Sequence, residues 1–514
     1  MINPGSWRVL APALRWLTAV LALLIATAAV AETAAERLQA IKNDPVQLRQ
    51  FLQRFPKGGD LHSHLSGAVY AESYLAWGAA DGKCIDLQTQ HITLPPCAPE
   101  GAGVPLAELA RRMTPNSSFE VQIDALSVRN YRRRSVSGHD QFFSTFERFT
   151  PATFGRLGDM VAQVSDRAGR QNVVYLELMQ SLGMFEAAAL AAAQGDLAAP
   201  FGQRLDHQAI DALVAKVTAD LDAIAARRLA LQGCQQSQRP ASPGCDVTVR
   251  YLAQVIRTLT PVQVYAQTLL AFKLMAADER VVGLNFVAPE DHPVALGDYR
   301  QHMGFIAELA QRFPGQREGI TLHAGELTLG LVDPRHLGWH IDAAIDVAGA
   351  RRIGHGIDIA YADDMPALLE KMVAQDVLVE INLTSNDVIL QVTGDAHPLP
   401  TYLAHGVPMA LSTDDEGVSR IDLTHEYQRA VATYDLDYAV LRSLSRNALQ
   451  YSFLPGERLF TDTLSGAVVG PCADTTLGAA DPGGSCGEFL RASSKAALQW
   501  QLEQRLRVFE ASER

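Results

Sequence analysis

The chain is poor in cysteine, with six in 514 residues, and none of the six stands in C-x-x-C spacing. That absence excludes a zinc knuckle or ribbon, whose paired ligands need that tight spacing. No Gly-rich dinucleotide fingerprint follows any strand-like run, which argues against a Rossmann nucleotide-binding fold. Basic residues are outnumbered, 44 against 57 acidic, for a formal net charge of −13. The one basic cluster of note is Arg132-Arg133-Arg134, and a phosphate-rich nucleic acid needs more clustered cations than a solvated triplet. Beyond the first thirty or so residues, no run is long and apolar enough to cross a bilayer.

The apolar stretch that does exist is short. Arg8 and Arg15 precede an uncharged segment from Trp16 to Ala31, which ends in Ala29-Val30-Ala31 before Glu32. This is the pattern of a cleaved secretory signal over residues 1–31, with an uncleaved anchor as the alternative. The expectation is one exported domain over 32–514, periplasmic or secreted and free of the membrane once cleaved. Its insertions would span about 81–135, 194–245 and 460–486. The cysteines suit that compartment as three local pairs, Cys84 with Cys97, Cys234 with Cys245, and Cys472 with Cys486, each in a Pro/Gly/Ser-rich stretch. Six cysteines allow fifteen connectivities, so local pairing is an expectation from proximity alone.

Short apolar runs recur with a regular beat and end abruptly in polar or Gly-containing clusters. They are Gly59–His62, Val173–Leu178, Val247–Leu252, Val281–Phe286, Ile320–His323, Arg352–His355, Val377–Ile381 and Val407–Ser412. Amphipathic helical patterns, such as Leu337–Val347 and Met365–Ala374, lie between the later runs. Strands apolar on both faces and alternating with helices imply a parallel sheet covered by helices. Eight of them predict an α/β fold, a closed (β/α)8 TIM-type barrel with disulfide-bearing insertions and extra C-terminal helices.

The polar residues fall at the ends of those runs. His62 and His64 form H-x-H on the first, where alternation points both rings to one side. His323 ends the fifth, with Glu326 three residues on. His355 ends the sixth, and Asp414 and Asp415 end the eighth. Barrel strand ends converge on one mouth, and three imidazoles with a carboxylate suit catalytic zinc. Each piece alone has a bland reading: a chance H-x-H among 14 histidines, a turn, a solvated Asp-Asp pair or helix cap. The bland readings leave the ordered placement at successive strand ends unexplained.

On these motifs the sequence resembles the adenosine deaminase family, and within it the secreted growth-factor-related branch. The resemblance runs through Pro56-Lys57, Asp60-Leu-His-Ser-His-Leu-Ser-Gly67, Thr321-Leu-His-Ala-Gly-Glu326, Arg352-Ile-Gly-His-Gly356, Asn382-Leu-Thr-Ser-Asn386, Leu411-Ser-Thr-Asp-Asp415 and Asn447-Ala-Leu-Gln-Tyr-Ser-Phe453. It implies one Zn2+ per chain held by His62, His64, His323 and Asp414. It also implies Glu326 as the acid that protonates purine N1, His355 orienting the attacking water, and Asp415 holding N7. The reaction implied is hydrolytic deamination of adenosine or 2′-deoxyadenosine. A small-molecule purine is the expected partner, nucleic acid is not, and a homodimer through the 81–135 segment is a state that such relatives adopt. The cytidine-type deaminase motif, H-x-E with P-C-x-x-C, is absent. No lysine ends the Val281–Phe286 run to bridge two metals, which favours one metal.

Two positions depart from the family pattern. Ser66 stands where an acidic residue contacting ribose is expected. Ala288 stands where a glycine offers its N–H to purine N3. Both unsettle the sugar and leave the zinc chemistry alone, so an aminohydrolase of adenine or another amino-heterocycle, or an inactive secreted binding protein, are the alternatives. Phe142, Phe146 and Phe149 share a helix face that reads as a lid over the base or as ordinary packing. Glu177 reads as a residue supporting the site or as the partner of a buried base.

Overall fold

The computed structural model describes residues 33–97, 103–110, 118–195, 200–235 and 241–513, so the leader expected over 1–31 lies outside the described residues. The barrel strands are β1 (Gly58–His64), β2 (Val173–Gln180), β3 (Thr248–Ile256), β4 (Val281–Val287), β5 (Thr321–Ala324), β6 (Arg352–His355), β7 (Leu378–Ile381) and β8 (Met409–Leu411). They pair in parallel as two four-stranded sheets, β1 to β4 and β5 to β8. Isolated parallel bridges, Leu284 to Ile320 and Ser63 to Asp414, join the sheets at both edges and close the ring. Seam hydrogen bonds run from Leu284 N to Gly319 O at 2.9 Å, and between β1 and the β8 end through His64 N to Asp414 O and Asp414 N to His62 O, both 2.8 Å. The expected α/β barrel is the fold.

Both faces of the strands are covered. All seven residues of β1 and all but the last of β2 are buried, as parallel strands wrapped in helices must be. Helix His207–Gln232 shows how the cover is bounded. The Asp206 carboxylate accepts from Ala209 N at 3.0 Å, and the helix stops where Gly233 turns left-handed at φ 69°. Helix Met365–Ala374 has its expected bounds. The pattern over Leu337–Val347 gives a shorter helix, His340–Asp346, because Gly338 sits at φ 80° and breaks the chain before it. Among the described residues, no helix is long and apolar enough to cross a membrane.

The cysteines pair locally as Cys84–Cys97, Cys234–Cys245 and Cys472–Cys486. The first ties a small antiparallel sheet of 84–86, 92–93 and 103–105. The third belongs to a separate apolar cluster that includes Leu459, Phe460, Leu490 and Trp500. Helix Ser494–Ser512 packs on helix Tyr438–Gln450. The 81–135 segment does more than decorate. Its later part packs Ile123 and Leu126 into the main core, and Val128 N donates to Val418 O just past the β8 end. Phe142 and Phe149, on helix Gly138–Thr153, are buried in the same core, and Phe149 stacks on Tyr74, which is the packing role.

Candidate metal and active site

The first strand brings His62 and His64 to the mouth, and the ends of β5 and β8 bring His323 and Asp414. One ligand atom from each of the four lies within 4.8 Å of the others. The Nε2 of His323 is 3.1 Å from that of His62 and 3.3 Å from that of His64. Asp414 Oδ1 is 3.2 Å and 3.3 Å from the same two nitrogens. All four side chains are buried.

Each ring is held from behind through its other nitrogen. His62 Nδ1 meets Glu380 Oε2 at 2.6 Å, His64 Nδ1 meets Gln254 Oε1 at 3.0 Å, and His323 Nδ1 meets Asn285 Oδ1 at 2.8 Å. An oxygen acceptor keeps the ring proton on Nδ1 and turns the bare Nε2 lone pair inward, the arrangement metal-binding histidines adopt. Ser385 Oγ donates to Asp414 Oδ2 at 2.6 Å and leaves Oδ1 facing the rings. Three inward lone pairs beside an anionic oxygen repel one another unless a positive charge sits among them. The electrostatics agree. Burial alone would depress His62, yet Asp414 and Glu380 raise it to about 10, so that without a cation the positive charge the site draws is a proton on His62. Burial and the neighbouring rings of His62, His355 and His64 hold His323 well below its ordinary value. The residues present fit a divalent cation of the zinc type.

Behind Glu380 lies an ion chain through the barrel interior. Arg352 Nε donates to Glu380 Oε1 and its Nη2 to Glu177 Oε2, each at 2.6 Å, with all three side chains fully buried. Glu177 also accepts from Tyr175 Oη and Phe453 N, both at 2.7 Å. Glu177 therefore pairs with a buried base and, through it, supports the His62 side of the site.

Glu326, His355 and Asp414 form a second convergent group. Burial, then the charges of Asp414 and Glu290, push the Glu326 carboxyl well above its ordinary value. Its Oε1 is buried without a hydrogen-bond partner and lies 3.5 Å from His355 Nδ1. The state of His355 follows from its neighbours. Leu399 N donates to His397 Nδ1 at 3.0 Å, so His397 donates from Nε2 to Asn386 Oδ1 at 3.2 Å, and Asn386 Nδ2 donates to His355 Nδ1 at 2.9 Å. His355 Nδ1 thereby accepts that bond, and burial holds the ring's pKa near 3.

Asp415 is buried, and its Oδ1 also lacks a partner. Burial, opposed by His64 and assisted by Asp414, raises it to about 8. A Cβ on Gly67 would stand 1.4 Å from that Oδ1, so only glycine lets β1's following turn pass beneath the carboxyl. Ser66 lies half-buried in that turn, and its carbonyl accepts from Tyr74 Oη at 2.5 Å. Ala288 is half-buried after β4, and Arg257 grips its carbonyl through Nε and Nη2 at 3.0 and 2.8 Å. Ala288, His355 and Asp414 all have positive φ, at 81°, 69° and 57°. Non-glycine residues pay ~1–3 kcal/mol for such conformations and keep them where the surrounding structure demands it.

Glu380, Gln254, Asn285, Arg257 and Ser385 were not singled out from the sequence. One signal existed: Glu380 is a lone charge inside the apolar run Val377–Ile381, where only a buried partner tolerates it.

The site thus sets a histidine–aspartate cluster and a buried glutamate, its pKa pushed up, at the mouth of a closed parallel barrel. Residues 208–461 match the family model described as adenosine deaminase, a span that begins after β1 and so leaves out His62 and His64. Over that span, just under half of the chain, the sequence is similar to the adenosine deaminase family. An adenosine deaminase of Escherichia coli O1:K1 / APEC is 35% identical over 178 residues, which is 34% of this chain and 50% of that protein. One from strain SE11 is 35% identical over 177 residues with the same shares. The chain thus spans about half the length of the curated relatives it matches. Among solved structures, Arabidopsis ADAL complexed with GMP aligns with TM-score 0.51 at 20% identity, over 79% of this chain and 94% of that one. The Arabidopsis N6-mAMP deaminase MAPDA aligns with TM-score 0.50 at 20% identity, over 79% and 96%. At that identity the likeness is one of fold.

Proposed function

We propose that this chain is a zinc-dependent aminohydrolase that converts adenosine or 2′-deoxyadenosine, with water, to inosine or 2′-deoxyinosine and ammonia. The observation that carries the reading is the convergence, in one buried mouth, of the four-residue donor set with the two unpartnered carboxyl oxygens of Glu326 and Asp415. At the mouth of a barrel, buried carboxyl oxygens left without a protein partner are places where a ligand's polar groups would be received. The match to adenosine deaminases of Escherichia coli supports the same chemistry.

Held by His62, His64, His323 and Asp414, zinc would supply a Lewis acid that brings the ionisation of water towards neutral pH. The protein's own groups do the rest. Glu326, kept protonated by burial, donates to ring N1 and makes C6 more electrophilic. Its carboxylate then takes the proton released as the C6–O bond forms and passes it to the amino nitrogen, which leaves as ammonia when the C6–N bond breaks, and the proton left on the oxygen returns to the Glu326 carboxylate as C6=O forms. His355 offers its Nε2 proton to the incoming oxygen. Purine N7 is an acceptor, so it pairs with Asp415 in its protonated form, which the raised pKa of about 8 favours.

Ala288 and Ser66 favour a second reading, in which the base is adenine or another amino-heterocycle. The methyl group of Ala288 is carried at φ 81°, beside the position proposed for purine N3. Ammonia release from adenosine, 2′-deoxyadenosine and adenine, with zinc content measured on the same sample, tests both. Turnover of none of them by zinc-loaded protein sinks the reading. We further propose a single barrel domain over 32–514, exported after loss of 1–31, for which three disulfides suit an oxidising compartment.

A further inference from the structure

We propose that Glu290, which lies outside every motif described above, is a positioning residue that fixes the turn carrying Glu326. The inference rests on the aminohydrolase reading only for its effect on turnover. Glu290 follows β4 and is 1% exposed. Its Oε1 accepts from Gly325 N at 3.0 Å and from His340 Nδ1 at 2.5 Å, and its Oε2 accepts from Glu326 N at 2.9 Å. One carboxylate therefore binds two successive amides, the arrangement by which backbone nests hold anions.

The turn is fixed from its other side as well. Gly325 O accepts from Ile357 N at 2.9 Å and Asp358 N at 3.0 Å. Gly325 has φ 75°, and a Cβ there would meet Asp358 Oδ1 at 2.4 Å, so the turn has no freedom to accept another residue. His340 is held independently, flat against Tyr299 at 3.7 Å and 9°, with Tyr299 Oη donating to its carbonyl at 3.1 Å. The interval that leaves Glu326 thus returns at His340, and both of its ends are tied to one carboxylate.

Positioning matters here because, among the described residues, no hydrogen bond holds the Glu326 carboxyl, whose polar contact with His355 Nδ1 is 3.5 Å long. With no hydrogen-bond partner on Oε1, its place is set by its own backbone. A displacement of about 1 Å at a reacting group costs on the order of a hundredfold in rate.

The test is Glu290→Gln on the full mature chain. An amide presents one acceptor and one donor, so the Gln side chain can receive only one of the two N–H groups. Hydrogen–deuterium exchange should quicken in a peptide covering 321–331 and stay unchanged in one covering β2. Turnover should fall on the order of ten- to a hundredfold, with KM and zinc content little changed. His340→Phe, which keeps the stack on Tyr299 and removes one donor, should move both readouts the same way by less, and it carries the test if Glu290→Gln does not accumulate folded. Unchanged exchange at 321–331, or a turnover loss that tracks zinc loss or exchange rising across the whole barrel, overturns the proposal. If the wild-type chain deaminates nothing in the panel, the proposed function fails, while the exchange experiment still decides whether Glu290 fixes the turn.

Discussion

Burial, then the charges of Asp414 and Glu290, push the Glu326 carboxyl well above the ordinary carboxylate range and so favour its protonated form. Replacing it with Gln preserves size and hydrogen bonding but removes the transferable proton. Turnover on the best substrate should fall by at least about a hundredfold, with zinc content unchanged by metal analysis. Near-normal turnover would exclude Glu326 as the acid. His323→Ala should behave differently, because its Nε2 lies within 3.3 Å of both other rings. Zinc and activity should be lost together, and full zinc occupancy in that variant would place the metal elsewhere.

Among the elements, β2, β6 and β7 are bound to one another by Arg352 and its two carboxylates, and β1 joins them through His62 on Glu380. Removing the base from a buried ion chain leaves charges without a partner, which typically costs ~3–5 kcal/mol. Arg352→Leu should therefore lower the urea midpoint strongly. Arg352→Lys should recover part of it, since a point charge reaches one carboxylate at a time. A wild-type midpoint for Arg352→Leu would show that the chain contributes nothing to stability. This ion chain also marks the limit of what the sequence discloses. The strands, the local cysteine pairs and the places of His62, His64, His323, His355 and Asp414 were legible because period, spacing and strand-end position are local signals. Arg352 was legible only as part of a motif, and Glu177 only as a choice between two roles. Their partners lie up to 291 residues away, and no local pattern carries that distance. The late start of helix His340–Asp346 was missed for the opposite reason, a single glycine overriding an amphipathic run.

Across the whole molecule, buried acids make stability depend on pH. Glu426, fully buried beside Thr384, has its pKa raised by burial from 4.5 to about 7, against the pull of Thr384 and Arg429. The folded state holds this proton more tightly than the unfolded one, so its contribution is full at low pH and is lost as pH rises from about 4.5 to about 7. The loss is on the order of 3 kcal/mol. Glu426→Gln should gain thermal stability relative to the wild type progressively across that window. A difference in Tm that is flat with pH would contradict the assignment. None of the six cysteines is among the proposed site residues, so mild reduction should lower Tm more than it lowers turnover. An equal loss of both would tie the loops to the site.

The ring closes through one bridge at each of its two seams, β4 to β5 and β8 to β1. The proposed ligands are divided across the same boundary: His62 and His64 belong to the first four strands, His323 and Asp414 to the second. A bound cation would then act as a rivet between half-shells, and its affinity would be thermodynamically linked to seam closure. Chelation should lower Tm, and amide exchange should quicken first at Leu284, His64 and Asp414, ahead of any amide inside either four-stranded sheet. Uniform loosening of all eight strands would show that the halves do not behave as separate shells. The same division predicts that neither half alone competes for zinc, so the protein must complete its circle before it can acquire the ion on which its chemistry would depend.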